Sequence, residues 1–393
     1  MYSEPTLRTH AAAGRALTRS TRPLVSGVGA LLTLLVVAPG ALTAQGTSPD
    51  PVVSGTAAQS APVASYPLVP TPVLEPRILT PGPAFSGYVS ARSTHRNDST
   101  VHAINRARVT VMGLPHPGLA YRLQADFSAA GRLQRDSTVP ATVLTDAYVQ
   151  LFYHPTSKAD SASRLAAFAP ALIAGQFRVP FSLEYLTPFS LLKTANRSLV
   201  VDRLSPRRDI GAMGQVRITR FAVLMASLTN GEGPNQPRNP DNTELASGRF
   251  ILRPLPSLAL AGKWAGGGPD HYWGYDGRWV SRTVTLEGEV IRRTGRAPGA
   301  AATTPPAPRY DAGGGYVLAA WRVLPWLEPE LKWEQFGEWT SATSRPSETW
   351  VTPGVVVRGL DDRVRFHVNW IVKHTRPVAR HANELQAQLV AIF

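Results

Sequence analysis

The chain contains no cysteine, which excludes a disulfide framework and any thiolate metal site. Charge is sparse, at 17% of 393 residues. Beyond the N-terminal region no stretch approaches the roughly 18 consecutive apolar residues that a spanning helix needs. Signatures of catalysis are missing too: no Ser, His and acid set and no His/Asp/Glu cluster has a productive spacing. His367 and His374, seven positions apart, fall on opposite faces of a strand, and Asp361-Asp362 reads as a turn pair. An enzyme, a cofactor and a metal centre are therefore not expected. The net charge of +14 raises nucleic-acid binding, but the arginines alternate along strands instead of clustering on one helix or aromatic sheet face, so no nucleic-acid partner is expected.

What is present begins with an export signal. Arg15, Arg19 and Arg22 precede an apolar run from Leu24 to Val37, followed by Pro39, Gly40 and small residues; this is the layout of a secretory leader over 1–44. Cleavage fits after Gly40 or after Ala44. The competing reading, a short membrane anchor, suffers from a run shorter than the ~20 residues of a spanning helix. Losing 1–44 removes four arginines and one glutamate, taking the net charge from +14 to +11. Residues 45–80 are dense in Pro, Ala, Ser and Val and read as an extended, poorly ordered periplasmic linker.

From Phe85 onward the pattern changes to period-two alternation in runs of about ten residues. Leu119, Tyr121, Leu123, Ala125 and Phe127 share one face against Arg122, Gln124 and Asp126. Val364, Phe366, Val368, Trp370 and Val372 stand likewise against Arg365, His367, Asn369 and Lys373. About sixteen such runs are centred near Val89, Val109, Leu123, Val149, Gly175, Ala212, Val223, Gly248, Gly262, Gly277, Leu286, Leu318, Leu331, Val355, Val368 and Leu389. Short connections, as at Pro115-His116-Pro117 and Thr219-Arg220, alternate with long polar ones at His95–Ala103, Ala129–Ala141, Val179–Arg208, Asn230–Thr243, Arg293–Arg309, Gly337–Glu348 and Thr375–Asn383. The stretch from His154 to Pro170 breaks this rule. Aromatic residues sit at run ends (Tyr153, Trp264, Tyr272, Trp326, Trp333, Trp350), and the last run ends on Phe393.

An even number of amphipathic strands, alternating loop lengths and aromatic girdles predict an all-β fold: a transmembrane antiparallel β-barrel over 81–393, with about sixteen strands, in the bacterial outer membrane. A soluble many-stranded sheet protein, the competing reading, needs neither the loop alternation nor an apolar outer face throughout.

With the apolar face outward, Arg92, Arg106, Arg108, Arg122, Arg178, Arg217, Arg249 and Lys263 line the lumen from the first nine strands, and Glu287, Glu289, Glu328, Glu330 and Glu334 from later ones. The lumen then carries a transverse field, basic on one wall and acidic on the other. The connection Val179–Arg208 is too apolar to wave in solvent, with Phe181, Leu183, Tyr185, Leu186, Phe189, Leu191 and Leu192, and is expected to fold into the barrel as a constriction. It would bring Lys193, Arg197, Arg203, Arg207 and Arg208 to the narrowest point, where guanidinium forks match phosphate oxygens. Alternatively, these cations pair with Glu184, Asp202 and Asp209 and pin the loop.

The same stretch carries a family resemblance. Gly175-Gln176-Phe177-Arg178-Val179-Pro180-Phe181-Ser182-Leu183-Glu184-Tyr185, continuing through Asn196-Arg197-Ser198-Leu199-Val200 to Leu204-Ser205-Pro206-Arg207-Arg208-Asp209-Ile210-Gly211, resembles the phosphate-selective (O/P type) porins. The resemblance implies a sixteen-stranded homotrimeric channel in outer-membrane lipid that passes small anions, phosphate or polyphosphate. The functional expectation is passive diffusion of anions through a basic, loop-constricted lumen. Its rival is a plugged, non-conducting barrel with a structural or receptor role.

Overall fold

A computed structural model describes residues 66–75, 79–128, 144–154, 167–295, 310–338, 347–376 and 380–393. The leader over 1–44 lies outside the described residues, as does most of the expected linker. Sixteen strands follow one another. The first eight are β1 (Ala84–Arg96), β2 (Ser99–His116), β3 (Leu119–Asp126), β4 (Leu144–Phe152), β5 (Ala171–Arg178), β6 (Arg208–Thr219), β7 (Ala222–Thr229) and β8 (Leu245–Leu255). The second eight are β9 (Leu258–Gly267), β10 (Asp270–Val280), β11 (Val284–Gly295), β12 (Tyr310–Trp321), β13 (Leu327–Glu338), β14 (Ser347–Gly359), β15 (Val364–Arg376) and β16 (Arg380–Ile392). All neighbours in the chain pair antiparallel, and β16 pairs with β1 to close the barrel. Each of the sixteen expected runs falls within one strand.

The usual burial of residue types is inverted. On β13, Glu328, Glu330, Lys332 and Glu334 are buried, whereas Leu331 and Trp333 are exposed at 52% and 44%. On β11, Glu287 and Glu289 are buried between the exposed Leu286 and Val290. A soluble sheet could not tolerate this. A closed barrel with water inside and hydrocarbon outside requires it. Where the alternation of β2 would turn an apolar side chain inward, a β-bulge intervenes: Ser90 pairs with Arg106 but Ala91 pairs with Ile104, leaving Asn105 as the extra residue. The slip keeps Arg106 and Arg108 inside and sends Ile104 outward.

Three expectations are corrected. Two stretches expected as long loops are mostly strand: His95–Ala103 lies on both sides of a tight Asn97-Asp98 turn, and within Thr375–Asn383 β15 and β16 pair out to Thr375 and Arg380, because these strands continue past the apolar belt. Asn97, at φ 51°, adopts the left-handed conformation such a turn needs. Tyr272 and Trp350 do not join an outer girdle; both turn inward and pack on a buried cluster, while Trp264, Trp326 and Trp333 are exposed. The end of the expected linker, Tyr66–Glu75, hydrogen-bonds to inward-facing residues of the barrel wall, among them Gln150, Gln215 and Glu287.

Val290, exposed at mid-strand between two inward-facing residues, tests this orientation. Val290→Arg is expected to lower the urea stability of the barrel refolded in lipid by about 2–4 kcal/mol. An unchanged midpoint would contradict an outward, lipid-facing position.

Candidate functional site

The loop between β5 and β6, residues 179–207, enters the barrel because its own sequence supplies an apolar face. Phe181, Leu183, Leu186, Leu191, Leu192, Val200, Val201 and Leu204 are all buried. Phe181, Leu199, Val200, Val201 and Leu204 pack on Leu245, Ala265, Ile291, Ala312, Tyr316, Leu318 and Phe336 of the inner wall. Each fully buried side chain of this size contributes about 2 kcal/mol, enough to hold an element with little regular structure. The loop contains two short α-helices, α1 (Leu183–Leu186) and α2 (Leu199–Leu204), with one turn of 3-10 helix, Phe189–Leu191, between them. Ser182 caps α1 by accepting from the Tyr185 amide.

Barrel side chains then satisfy the loop's polar backbone. Glu289 accepts from the Ser182 hydroxyl at 3.0 Å and the Glu184 amide at 3.2 Å. Glu334 accepts from the Leu199 amide at 2.6 Å, and Asn369 from the Ala195 amide at 2.7 Å. Lys193 pairs with Glu328 at 2.8 Å, and His367 meets the Lys193 carbonyl. The loop thus crosses from β5 to β15 and narrows the lumen.

The expected basic residues separate into groups. Arg108 pairs with Asp126 at 2.8 Å, and Arg122 and Arg208 share Asp146 at 3.1 and 2.6 Å. Arg178 donates to the Leu186 carbonyl. Arg197 donates to the carbonyls of Glu184 and Thr187 and lies over the rings of Tyr185 and Phe189. Arg106 lies over Phe189, 3.9 Å from Asp126, and Arg92 meets Asn196. Arg203 pairs with Glu348 near the long-loop end of the barrel, and Arg207, exposed, donates to the Asp202 carbonyl. Arg217 is exposed towards the opposite rim.

Two electrostatic expectations change. Arg249 and Lys263 do not add to a basic field, because Asp276 pairs with both and Lys263 also pairs with Glu289. The acidic wall is neutralised in turn: Glu287 by Arg278, Glu328 by Lys193 and Arg358, Glu334 by Lys332. Glu330 accepts from the Asn369 amide instead. The remaining imbalance lies on β2–β6 and the loop, where Arg106, Arg108, Arg122, Arg178, Arg197 and Arg208 face two ion-paired carboxylates, Asp126 and Asp146, and two that accept from backbone amides instead, Glu184 and Asp209. The loop is pinned, but by ion pairs of Lys193 and Arg203 to Glu328 and Glu348 of the wall and not to Glu184, Asp202 and Asp209. Asp126 was legible on the polar face of its run; its partner, and the role of Asp146, were not.

Within the loop, burial pulls Lys193 and Arg197 below their ordinary values. Burial pushes Glu184 up to about 7, although Lys332 and the Ser198 amide and hydroxyl favour its charged form. The unfolded chain releases this proton near 4.5 and the seated loop near 7. Glu184 therefore leaves the seated loop most stable below that window, and its contribution falls by about 3 kcal/mol as pH rises through it.

No family model matches the chain, and no curated relative does. Solved barrels do match in fold. The outer-membrane channel DcaP of Acinetobacter baumannii aligns at TM-score 0.55 and 11% identity, over 79% of this chain and 97% of its own. The anion-selective porin of Comamonas acidovorans aligns at 0.53 and 10%, over 79% and 99%. In-vitro folded OmpT of Vibrio cholerae, in its trimer form, aligns at 0.54 and 10%, over 79% and 99%.

Raising the pH from about 5 to about 8 is expected to lower urea stability in the wild type, and Glu184→Gln to lessen that loss. A wild type insensitive over this range would contradict the assignment.

Proposed function

We propose that this chain is a bacterial outer-membrane channel for passive diffusion of small anions, phosphate or polyphosphate among them, in the manner of the phosphate-selective O/P porins it resembles. The carrying observation is the charge imbalance at the constriction: six guanidinium groups, five on the wall and Arg197 on the loop, share two ion-paired carboxylates. Fixed positive charge in a confined, partly desolvated passage concentrates anions without holding them tightly. Arg208 donates from Nε to Asp146 and from Nη1 to the Tyr185 hydroxyl, and its positive charge is only shared with Arg122 through that one carboxylate. Neutralisation of the acidic wall removes the main electrostatic argument against anions.

The exposed apolar belt supports residence in lipid, and the leader read in 1–44 supports export. A homotrimer is the assembly we propose, on the resemblance and on the trimer form of the fold-similar OmpT. Neither cofactor nor turnover is part of this function. A second reading, a plugged barrel with a structural or receptor role, draws support from the amount of chain inside the lumen.

Bilayer recordings separate the two. The purified protein is expected to conduct, with an anion-selective reversal potential in a KCl gradient. Arg106→Gln with Arg197→Gln is expected to lower the anion-to-cation permeability ratio about threefold. Absence of conductance would favour the plugged barrel; a cation-selective wild type would overturn the anion assignment and leave the channel intact.

A further inference from the structure

Residues Tyr66–Glu75 have no part in the sheet, yet they are bound to it at every step. Pro67, Pro70 and Pro72 remove three amide donors, so the segment cannot pair as an interior strand. Lumenal side chains take the place of a strand partner. Gln150 accepts from the Leu74 amide at 2.7 Å and donates to the Leu74 carbonyl at 2.9 Å. Tyr148 donates to the Pro72 carbonyl at 2.6 Å, Thr71 meets Gln215 at 2.8 Å, and Arg278 donates to the Pro67 carbonyl at 2.5 Å. Tyr66 donates to Glu287 at 2.7 Å, with Arg278 and Lys193 4.4 and 4.5 Å from its ring.

These anchors run from β4 to β11, past eight of the sixteen strands, at the end of the barrel where the short turns lie. The wall is prepared for the segment. On β7 the inward residues change from Thr229 and Ser227 to Met225, and on β8 from Ser247 and Arg249 to Ile251. At this level Met225, Ile251, Ala259 and Ala261 hold Leu68 and Val69, and Leu74 packs with Ala120, Tyr148, Ile173, Phe177 and Met213. This second apolar inner face, like the one under the constriction loop, would be costly if wet; the segment covers it. Lys193 and Thr187 of the constriction loop meet the groups that hold Tyr66, so the two elements touch.

We infer that Tyr66–Glu75 is a second restrictor of the passage, a strap in series with the β5–β6 loop that sets the upper size of the solute. The inference rests on the channel reading above. It goes beyond charge selectivity, since the strap contributes bulk and a polar backbone, not cations.

The absence of native cysteine makes the test clean. In planar bilayers, single channels of full-length Thr71→Cys are treated with a bulky thiol reagent, with Glu75→Cys, at an exposed position, as the second variant. The expected result is an irreversible loss of about half the current on labelling. Releasing the strap with Tyr66→Ala and Leu74→Ser is expected to raise conductance about twofold and to admit larger polyethylene glycols. A conducting wild type, with currents unmoved both by complete labelling and by release, overturns the restrictor alone. A wild type that does not conduct overturns the channel reading and the restrictor with it.

Discussion

In hydrocarbon an unpaired amide or carbonyl costs several kcal/mol, so a sheet that meets lipid must have no edge. Here that condition is met by the pairing of β1 with β16, extended by Gly87 and Phe393, which exchange backbone hydrogen bonds at 2.9 and 3.0 Å. Closure makes every strand two-sided, and the two-sidedness governs everything else. One face must match lipid and the other must accommodate water, charges and whatever chain enters. The bulge at Asn105 shows how strictly this is kept, since the strand gives up one ladder position to avoid turning Ile104 inward.

Closure also creates an interior where charges have few ways to be screened. A buried ion that loses its partner destabilises by about 3–5 kcal/mol. The acidic strands answer this by local neutralisation: each of Glu287, Glu289, Glu328 and Glu334 meets a Lys or Arg. The basic strands and the loop do so only in part, through Arg108 with Asp126 and Arg122 and Arg208 with Asp146. Arg178 and Arg197 satisfy their donors with carbonyl oxygens, which accept hydrogen bonds without cancelling charge. The asymmetry of the lumen therefore comes from the kind of acceptor offered on each side more than from the count of acids and bases along the sequence.

Much of this was legible from alternation alone. Period two located all sixteen strands, and the inward placement of Glu287, Glu289, Glu328, Glu330, Lys263 and Arg249 followed from parity. The apolar content of 179–207 indicated that the loop folds inward. Parity could not report who pairs with whom, because the partners of Arg208 and Lys193 lie 62 and 135 positions away. The tight turn at Asn97-Asp98 was hidden because strands that outrun the bilayer lose their apolar face. Tyr66–Glu75 was misread because proline density signals a linker in solvent and says nothing of a tube that can supply replacement hydrogen bonds. Tyr272 and Trp350 were misassigned because a strand-end aromatic serves either surface equally well.

The constriction loop is fastened largely to strands made long after it. Its Ala195 amide waits for Asn369, and Asn196 for Gln386, separations of 174 and 190 residues. Contacts so distant along the chain must bear a large loop-closure entropy before they form. A nascent barrel holding its first six strands would lack the wall of β8 to β13 on which Val200, Val201 and Leu204 rest. The loop therefore cannot be fully fastened until β15 and β16 are in place, the strands that also bring the β1–β16 seam together.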